Sequence, residues 1–354
     1  EDTLARLGGD EFIAIIQCEE EFNTKDLFLN RLLKATSLPI IIDNLTLDIS
    51  ASIGVTFYPQ EQEIDADQLF RQADYAMYQA KVSGKNCYHF FDMENDLSIR
   101  DHHKLLHEIK EGVANSEFVL FYQPKINLIT QKPVGMEALI RWNHPKKGLL
   151  APSFFLSEID THPLGITIGE WVIQTALERL EALQLEGIEL PISVNITAYH
   201  FQQMNFVERL HKLLAAHPMI NPKLLEMEVL ETNELNDVSH VLTIMEECNK
   251  LGIQFSLDDF GTGFSSLSYL KRLPVHTIKI DQSFVRDMLT DQEDAKIIRG
   301  IMGLANTFER EVIAEGIECE EHAKALLELG CIYGQGYAIA RPMPSDQING
   351  WLRG

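Results

Sequence analysis

The hydrophobic and polar positions of this chain follow two rhythms, with the change at about residue 117. Beyond it, short apolar runs recur at residues 118–123, 134–142, 192–196, 225–230, 253–257, 277–280, 311–314 and 332–338. Their length and β-prone content predict strands. Apolar residues at helical spacing fill most of the gaps, at 166–186, 199–216, 237–251, 284–308 and 320–329. Eight strands alternating with helices over about 240 residues predict an α/β fold of the TIM (β/α)8 barrel type. Only Asn127 to Lys132 separates the first two strands. A parallel crossover needs a dozen or more residues, so the barrel is expected to be modified, with an antiparallel first strand.

The first region alternates differently. Residues 4–16 read as a strand, a Gly8-Gly9 turn and a second strand. Residues 20–36 read as a helix, and 45–58 as one long strand ending at Pro59. Residues 65–82 carry Leu69, Ala73, Ala76, Met77 and Ala80 at helical spacing before Gly84 stops them. Residues 87–91 read as a closing strand. Together these predict a partial α+β sheet domain. Residues 92–100 are polar and acidic and read as a linker, followed by a helix over 99–113. The expected division is a partial domain over 1–92, a helical linker over 93–115 and a barrel over 116–354.

Composition narrows the chemistry. The apolar fraction of 45% over 354 residues suits a chain with a large core, and no apolar run approaches the roughly 20 residues of a membrane helix. The chain opens inside a motif, so the expectation is a cytoplasmic domain of a longer protein, one that an upstream segment could anchor to a membrane. Cys18, Cys87, Cys248, Cys319 and Cys331 are scattered and form no C-x-x-C pair, which suits a reducing compartment and offers no zinc signature. The formal charge of −23 repels nucleic-acid backbones, so DNA is not an expected partner. An anionic substrate would require a cation that reverses the local field.

The strand ends of the predicted barrel supply such a site. Barrel enzymes gather their active groups where strands end and the following loops begin. Here those positions carry Glu137 and Arg141 on the second strand, Asn195 on the third, Glu228 and Glu231 on the fourth and Asp258-Asp259 on the fifth. The sixth ends in Lys279-Ile280-Asp281, the seventh in Glu315 with Glu318 beyond it, and the eighth carries Gln335. One polar residue in an apolar strand is as often a core group with a private hydrogen-bond partner as a functional one. Seven neighbouring strands delivering acids, amides and a lysine at one end is a different matter. Crowded carboxylates repel one another and lose hydration, so they call for a cation. Hard oxygen donors suit Mg²⁺ or Mn²⁺ rather than zinc. An adjacent Asp pair can place one carboxylate between two such ions, which together polarise a phosphate and generate hydroxide. Lys279 would stabilise developing charge or orient the attacking water.

At this point the residues resemble a known family. Met136 to Trp142 (MEALIRW) is similar to the signature of EAL domains, the cyclic di-GMP phosphodiesterases, and the resemblance spans roughly residues 100–354. It takes in Tyr122-Gln123-Pro124, Ser193-Val194-Asn195, Glu228 to Glu231, Asp258 to Gly263, Ile278 to Asp281, Ala314 to Glu318 and Gln335-Gly336-Tyr337. It implies hydrolysis of cyclic di-GMP to linear pGpG in bacterial signalling. Position by position, it implies that Glu137, Asn195, Glu228 and Asp258 hold one metal ion and that Asp259 holds a second. Lys279 and Glu315 match the groups that hold the attacking water. Gln123, Arg141, Asn195 and Gln335 match substrate contacts. Glu231, with Glu318 as a further support, matches the acid that tethers the loop over 259–266, which in the family couples metal binding to a homodimer formed through the barrel. None of these positions is substituted, as in an active member.

The first region resembles the GGDEF diguanylate cyclases through Arg6-Leu7-Gly8-Gly9-Asp10-Glu11-Phe12, Ser52 to Val55 and Ala73 to Lys81. That motif normally lies near the middle of its domain, so only the later part is represented. A longer form would be a candidate cyclase, and the remnant a candidate GTP site. A receptor that binds cyclic di-GMP without turnover is the other alternative. Weaker patterns are set aside. Gly261-Thr262-Gly263 lacks the third glycine of a dinucleotide fingerprint, and Gly84-Lys85 lacks the upstream glycine of a P-loop. Asn195-Ile196-Thr197 is a sequon inside a barrel strand. His103 and His107 stand four apart on a helix that reads as exposed linker.

Overall fold

The computed structural model describes all residues except 1, 18–21, 43–44, 48, 61–63, 231–237, 263–266 and 354. The chain divides into two compact units, Glu1–Asp101 and His102–Gly354.

In the first unit, Thr3–Gly8 and Glu11–Ile15 form the expected antiparallel hairpin. Gly9 takes φ +55 in its turn, a conformation that glycine adopts without steric cost. The helices Phe22–Thr36 and Ala66–Val82 follow the sequence reading, and Asp65 with Gln68 closes a capping box on the second. The single long strand expected over 45–58 is two short strands. Leu45–Leu47 pairs antiparallel with Ile40–Ile42, whereas Ile53–Val55 pairs parallel with Tyr88–Phe90. Alternation records which face is covered and is blind to a change of partner strand. The helix expected over 99–113 begins earlier: Met93–Ala114 takes in residues 93–100 of the polar stretch as well. It contains no proline, and its first glycine is Gly112, so helix propensity runs unbroken through the acidic residues.

The second unit is a closed barrel. Its strands are β1 (Phe118–Asn127), β2 (Pro133–His144), β3 (Ile192–Asn195), β4 (Leu225–Leu230), β5 (Gln254–Phe260), β6 (Thr277–Ile280), β7 (Glu311–Ala314) and β8 (Tyr333–Gly334). β2 to β8 are parallel neighbours in order, and β1 closes the ring by pairing antiparallel with both β2 and β8. Helices such as Pro163–Leu185 and Gln292–Thr307 pack outside and bury Val172, Ala176, Leu180, Ile298 and Ile301. Two predicted helices are interrupted. Residues 199–216 become Ala198–Phe201 and Phe206–Ala216, and 284–308 become Gln282–Asp287 and Gln292–Thr307, the last restarted by the Asp291 cap. The eighth strand is cut to two residues because its continuation crosses the backbone of Ile317: a Cβ on Gly336 would lie 2.2 Å from the Ile317 nitrogen.

Strand geometry sets the interior. Side chains two apart on a strand share a face, so each strand sends a lower and an upper group inward. Ser193 lies below Asn195, Glu226 below Glu228, Ser256 below Asp258 and Thr277 below Lys279. On β1 the order is reversed because the strand runs the other way. Gln123 stands opposite Glu137 at the upper end, and Lys125 lies beneath it opposite Gly135.

Candidate active site

The upper ends converge as expected. Lys279 is fully buried, and its Nζ lies 2.5 Å from Glu228 Oε2, 2.6 Å from Glu315 Oε1, 3.0 Å from Asp258 Oδ1 and 3.7 Å from Glu137 Oε2. One ammonium therefore stands among four carboxylates contributed by β2, β4, β5 and the end of β7. Amides complete the rim. Asn195 Nδ2 donates to Glu137 Oε1 at 2.8 Å, and Gln335 Nε2 donates to Glu137 Oε2 at 2.6 Å and to Gln123 Oε1 at 2.9 Å. Gln123 Nε2 in turn donates to the Ala340 carbonyl at 3.0 Å.

The Asp pair is shaped by a local irregularity. The β5–β6 register shifts between Leu257 and Phe260, and Asp259 adopts φ +53. Non-glycine residues rarely take this conformation, although Asp tolerates it better than most. The kink turns the two carboxyls toward one place, and Asp258, Asp259 and Glu315 offer oxygens all within 4.8 Å of one another. Asp259 N donates to Asp258 Oδ1 at 3.0 Å.

The electrostatics are those of an anionic cluster with too little positive charge. Burial, with Coulomb repulsion from Asp258, Glu137 and Glu228, outweighs the pull of Lys279 and raises the Glu315 carboxyl to about 8. Burial and the neighbouring Asp258 and Asp281 raise Asp259 to about 7. Glu137 and Asp258 are also pushed up, chiefly by burial. Glu228 goes the other way. Despite its burial, Lys125 and Lys279 together draw it down to about 2. The buried amide oxygen of Gln335 also finds no partner among the described residues. Hard oxygen donors in excess of the two lysines, with an unmatched amide oxygen beside them, fit a divalent cation.

Other predicted residues stand apart. Arg141 stacks over Phe121 with its guanidinium carbon 5.6 Å from the ring centroid and donates to the carbonyl of Ile140. Glu318 is exposed and reaches no closer than 3.8 Å to Arg286. Glu231 and residues 263–266 of the tethered loop lie outside the described residues. Gly8, Gly9, Asp10, Glu11 and Phe12 sit at the hairpin of the first unit, where Arg6 donates to the Gly9 carbonyl at 2.7 Å and Phe12 is exposed. His107 pairs with Glu111 at 3.4 Å. The site also contains a group that sequence reasoning missed. Lys125 is buried beneath the cluster, 2.7 Å from Glu228 Oε1 and 3.4 Å from Glu226 Oε2, and donates to Ser193 Oγ. A lysine at an inward position of an apolar strand was the available signal.

Fold and site together define a barrel with an acidic, cation-seeking centre at the C-terminal mouth of its parallel strands. The chain belongs to the EAL domain family, which it matches over residues 106–342, and residues 1–87 match the diguanylate cyclase GGDEF domain family. It is 38% identical over 350 residues to the bifunctional diguanylate cyclase/cyclic di-GMP phosphodiesterase MucR of Pseudomonas aeruginosa, covering 98% of this chain and 50% of that protein. The chain thus spans about half the length of that relative. Among solved structures, the MucR phosphodiesterase in complex with c-di-GMP superposes with a TM-score of 0.66 at 38% identity, covering 69% of this chain and 99% of that one. The EAL enzyme Bd1971 in its cAMP- and cyclic-di-GMP-bound form superposes with a TM-score of 0.70 at 32% identity, covering 82% and 76%.

Proposed function

We propose that the barrel hydrolyses cyclic di-GMP to linear pGpG with the help of two divalent ions, Mg²⁺ or Mn²⁺. The observation that carries this reading is the convergence of Glu137, Glu228, Asp258 and Glu315 around Lys279, with Asp259 and Asn195 beside them. Family membership and the ligands named for MucR and Bd1971 supply the substrate class. Glu137, Asn195, Glu228 and Asp258 would hold one ion and Asp259 the second. When bound, such ions supply Lewis-acid polarisation of the phosphodiester and acidify water. Lys279 then stabilises charge growing on the phosphate oxygens. Glu315, 2.6 Å from Lys279, orients the attacking water and in its ionised form would accept the water's proton, while the phosphorus–oxygen bond to the ribose 3′-oxygen breaks and that oxygen takes a proton from solvent. Gln123, Gln335 and Arg141 would contact the substrate.

Chromatography of cyclic di-GMP incubated with the protein tests the reading. Product pGpG is expected with Mg²⁺ or Mn²⁺ and none with a chelator. Glu137→Ala removes a ligand and is expected to lower turnover by at least about 10²-fold. Intact substrate under all metal conditions would end the proposal.

A second activity has its own support in the match of residues 1–87, in the intact Gly8 to Phe12 hairpin, and in the bifunctional description of MucR. We infer that a longer form binds GTP there, a point that a GTP-turnover assay on that form decides. A homodimer through the barrel, implied by the family, is checked by light scattering of the purified chain.

A further inference from the structure

The network under the acid cluster carries an inference that rests on the metal-dependent reading above. We propose that Lys125 is a positioning residue for the metal site: it holds Glu228 Oε1 from below, so that the other oxygen of that carboxylate is presented to the cation.

Three observations support it. First, the two oxygens of Glu228 are divided between two lysines. Lys125 Nζ donates to Oε1 at 2.7 Å and Lys279 Nζ to Oε2 at 2.5 Å. Lys279 is shared with Asp258, Glu315 and Glu137, whereas Lys125 forms an ion pair with Glu228 alone among these four. A carboxylate anchored on one oxygen has lost the rotation that would let both oxygens wander, which is the usual contribution of a group behind a metal ligand.

Second, the reversed direction of β1 is what makes this approach possible. Gln123 points into the upper layer opposite Glu137, and Lys125, two residues on, enters the layer beneath, so its ammonium meets Glu228 from the side away from the mouth.

Third, the competing role, counter-ion to Glu226, fits less well. Lys125 is 3.4 Å from Glu226 and 2.7 Å from Glu228. The Glu226 side chain is 11% exposed and lines a cavity of about 120 Å³ at the opposite mouth of the barrel, and it already accepts from Ser193 Oγ at 3.0 Å. The Glu228 side chain is 0% exposed, and a fully buried carboxylate depends on its partners far more than one that water can reach.

The experiment measures Mn²⁺ binding by calorimetry, with thermal unfolding alongside, for the parent, Lys125→Met, Glu226→Gln and the double variant. The double variant decides, because it removes one positive and one negative charge together and keeps the interior balanced. It is expected to fold, to bind Mn²⁺ about 10–100-fold more weakly, and to recover turnover as Mn²⁺ is raised. Lys125→Met is expected to show the same weakening, and Glu226→Gln alone to stay within about threefold of the parent. A folded double variant with parental Mn²⁺ affinity overturns the positioning role while leaving the metal site standing. A double variant that no longer folds also overturns it, since Lys125 would then be holding the barrel together. A parent that binds no Mn²⁺ overturns the underlying metal reading and this proposal with it.

Discussion

Lys279 occupies the position among Glu137, Glu228, Asp258 and Glu315 where added positive charge does most. Four carboxylates around one ammonium leave the cluster short of cations, and this is why burial and mutual repulsion win at Glu315 and Asp259 while Glu228, with two lysines, stays ionised. Replacing the lysine therefore acts in two directions. Lys279→Met is expected to lower turnover by about 10²–10³-fold, because a charge-stabilising donor is gone. The same variant leaves four buried carboxylates with less compensation, so a bound cation has more to offset. Saturating Mn²⁺ should raise its Tm by more degrees than it raises that of the parent. Differential scanning fluorimetry reads this directly, and equal shifts in the two proteins would show that Lys279 and the cation do not compete for the same electrostatic role.

At the scale of elements, β5 shows how the fold makes the site. The register shift and the φ of +53 at Asp259 bend the strand so that two consecutive carboxyls, which on a regular strand would face opposite sides, both serve one place. Asp259→Gly relieves that backbone while removing a carboxylate from a crowded cluster. The metal-free variant is expected to unfold at the same temperature as the parent or a few degrees higher, with turnover lost and the Mn²⁺-induced Tm shift reduced. A large fall in its metal-free Tm would contradict this account. A second case lies beside β8. Gly336→Ala would set a methyl 2.2 Å from the Ile317 nitrogen and 2.3 Å from its carbonyl oxygen, neither of which can yield, so a loss of about 3 kcal/mol or more is expected in chemical denaturation. These elements also show what a sequence reveals and what it hides. The barrel, its antiparallel first pair and the acidic strand ends follow from period, loop length and residue type, so Glu137, Asp258, Lys279 and Glu315 could be named from spacing. The kink at Asp259, the break of 45–58 into strands with different partners and the layer below the site depend on which neighbour each strand meets. Lys125 was overlooked because its meaning comes from β3 and β4, which bring Ser193 and Glu226 beneath Glu228.

For the whole barrel, the opposing shifts define a pH optimum that the cation should move. Glu315 and Asp259 are raised, to about 8 and about 7. A raised acid leaves stability intact below its unfolded value near 4 and loses it as pH climbs through the folded value, so the metal-free protein weakens between about pH 4 and 8. On the acid side the signs reverse. Glu228 is lowered to about 2, and its contribution, present above about 4.5, fades as pH falls below that. His200 is buried against Phe206 and lowered to about 4, so its share is intact above about 6.5 and lost progressively down to pH 4. Two raised carboxyls outweigh the one lowered histidine above about pH 4.5, so the metal-free Tm should peak near pH 4–5 and fall by about 5 °C or more by pH 8. A divalent ion acts chiefly on the alkaline limb, since protons displace it from its carboxylates at low pH. It binds the ionised carboxylates, so its affinity grows as Asp259 and Glu315 give up their protons. With saturating Mn²⁺ the Tm should stay level or rise from pH 6 to pH 9, while the acid limb set by Glu228 and His200 persists. Parallel alkaline limbs with and without Mn²⁺ would separate the raised carboxyls from the cation site. At pH 7 the same linkage predicts release of protons on Mn²⁺ binding, seen as a dependence of the calorimetric heat on the ionisation enthalpy of the buffer, and disappearing by about pH 9 as both groups become ionised beforehand.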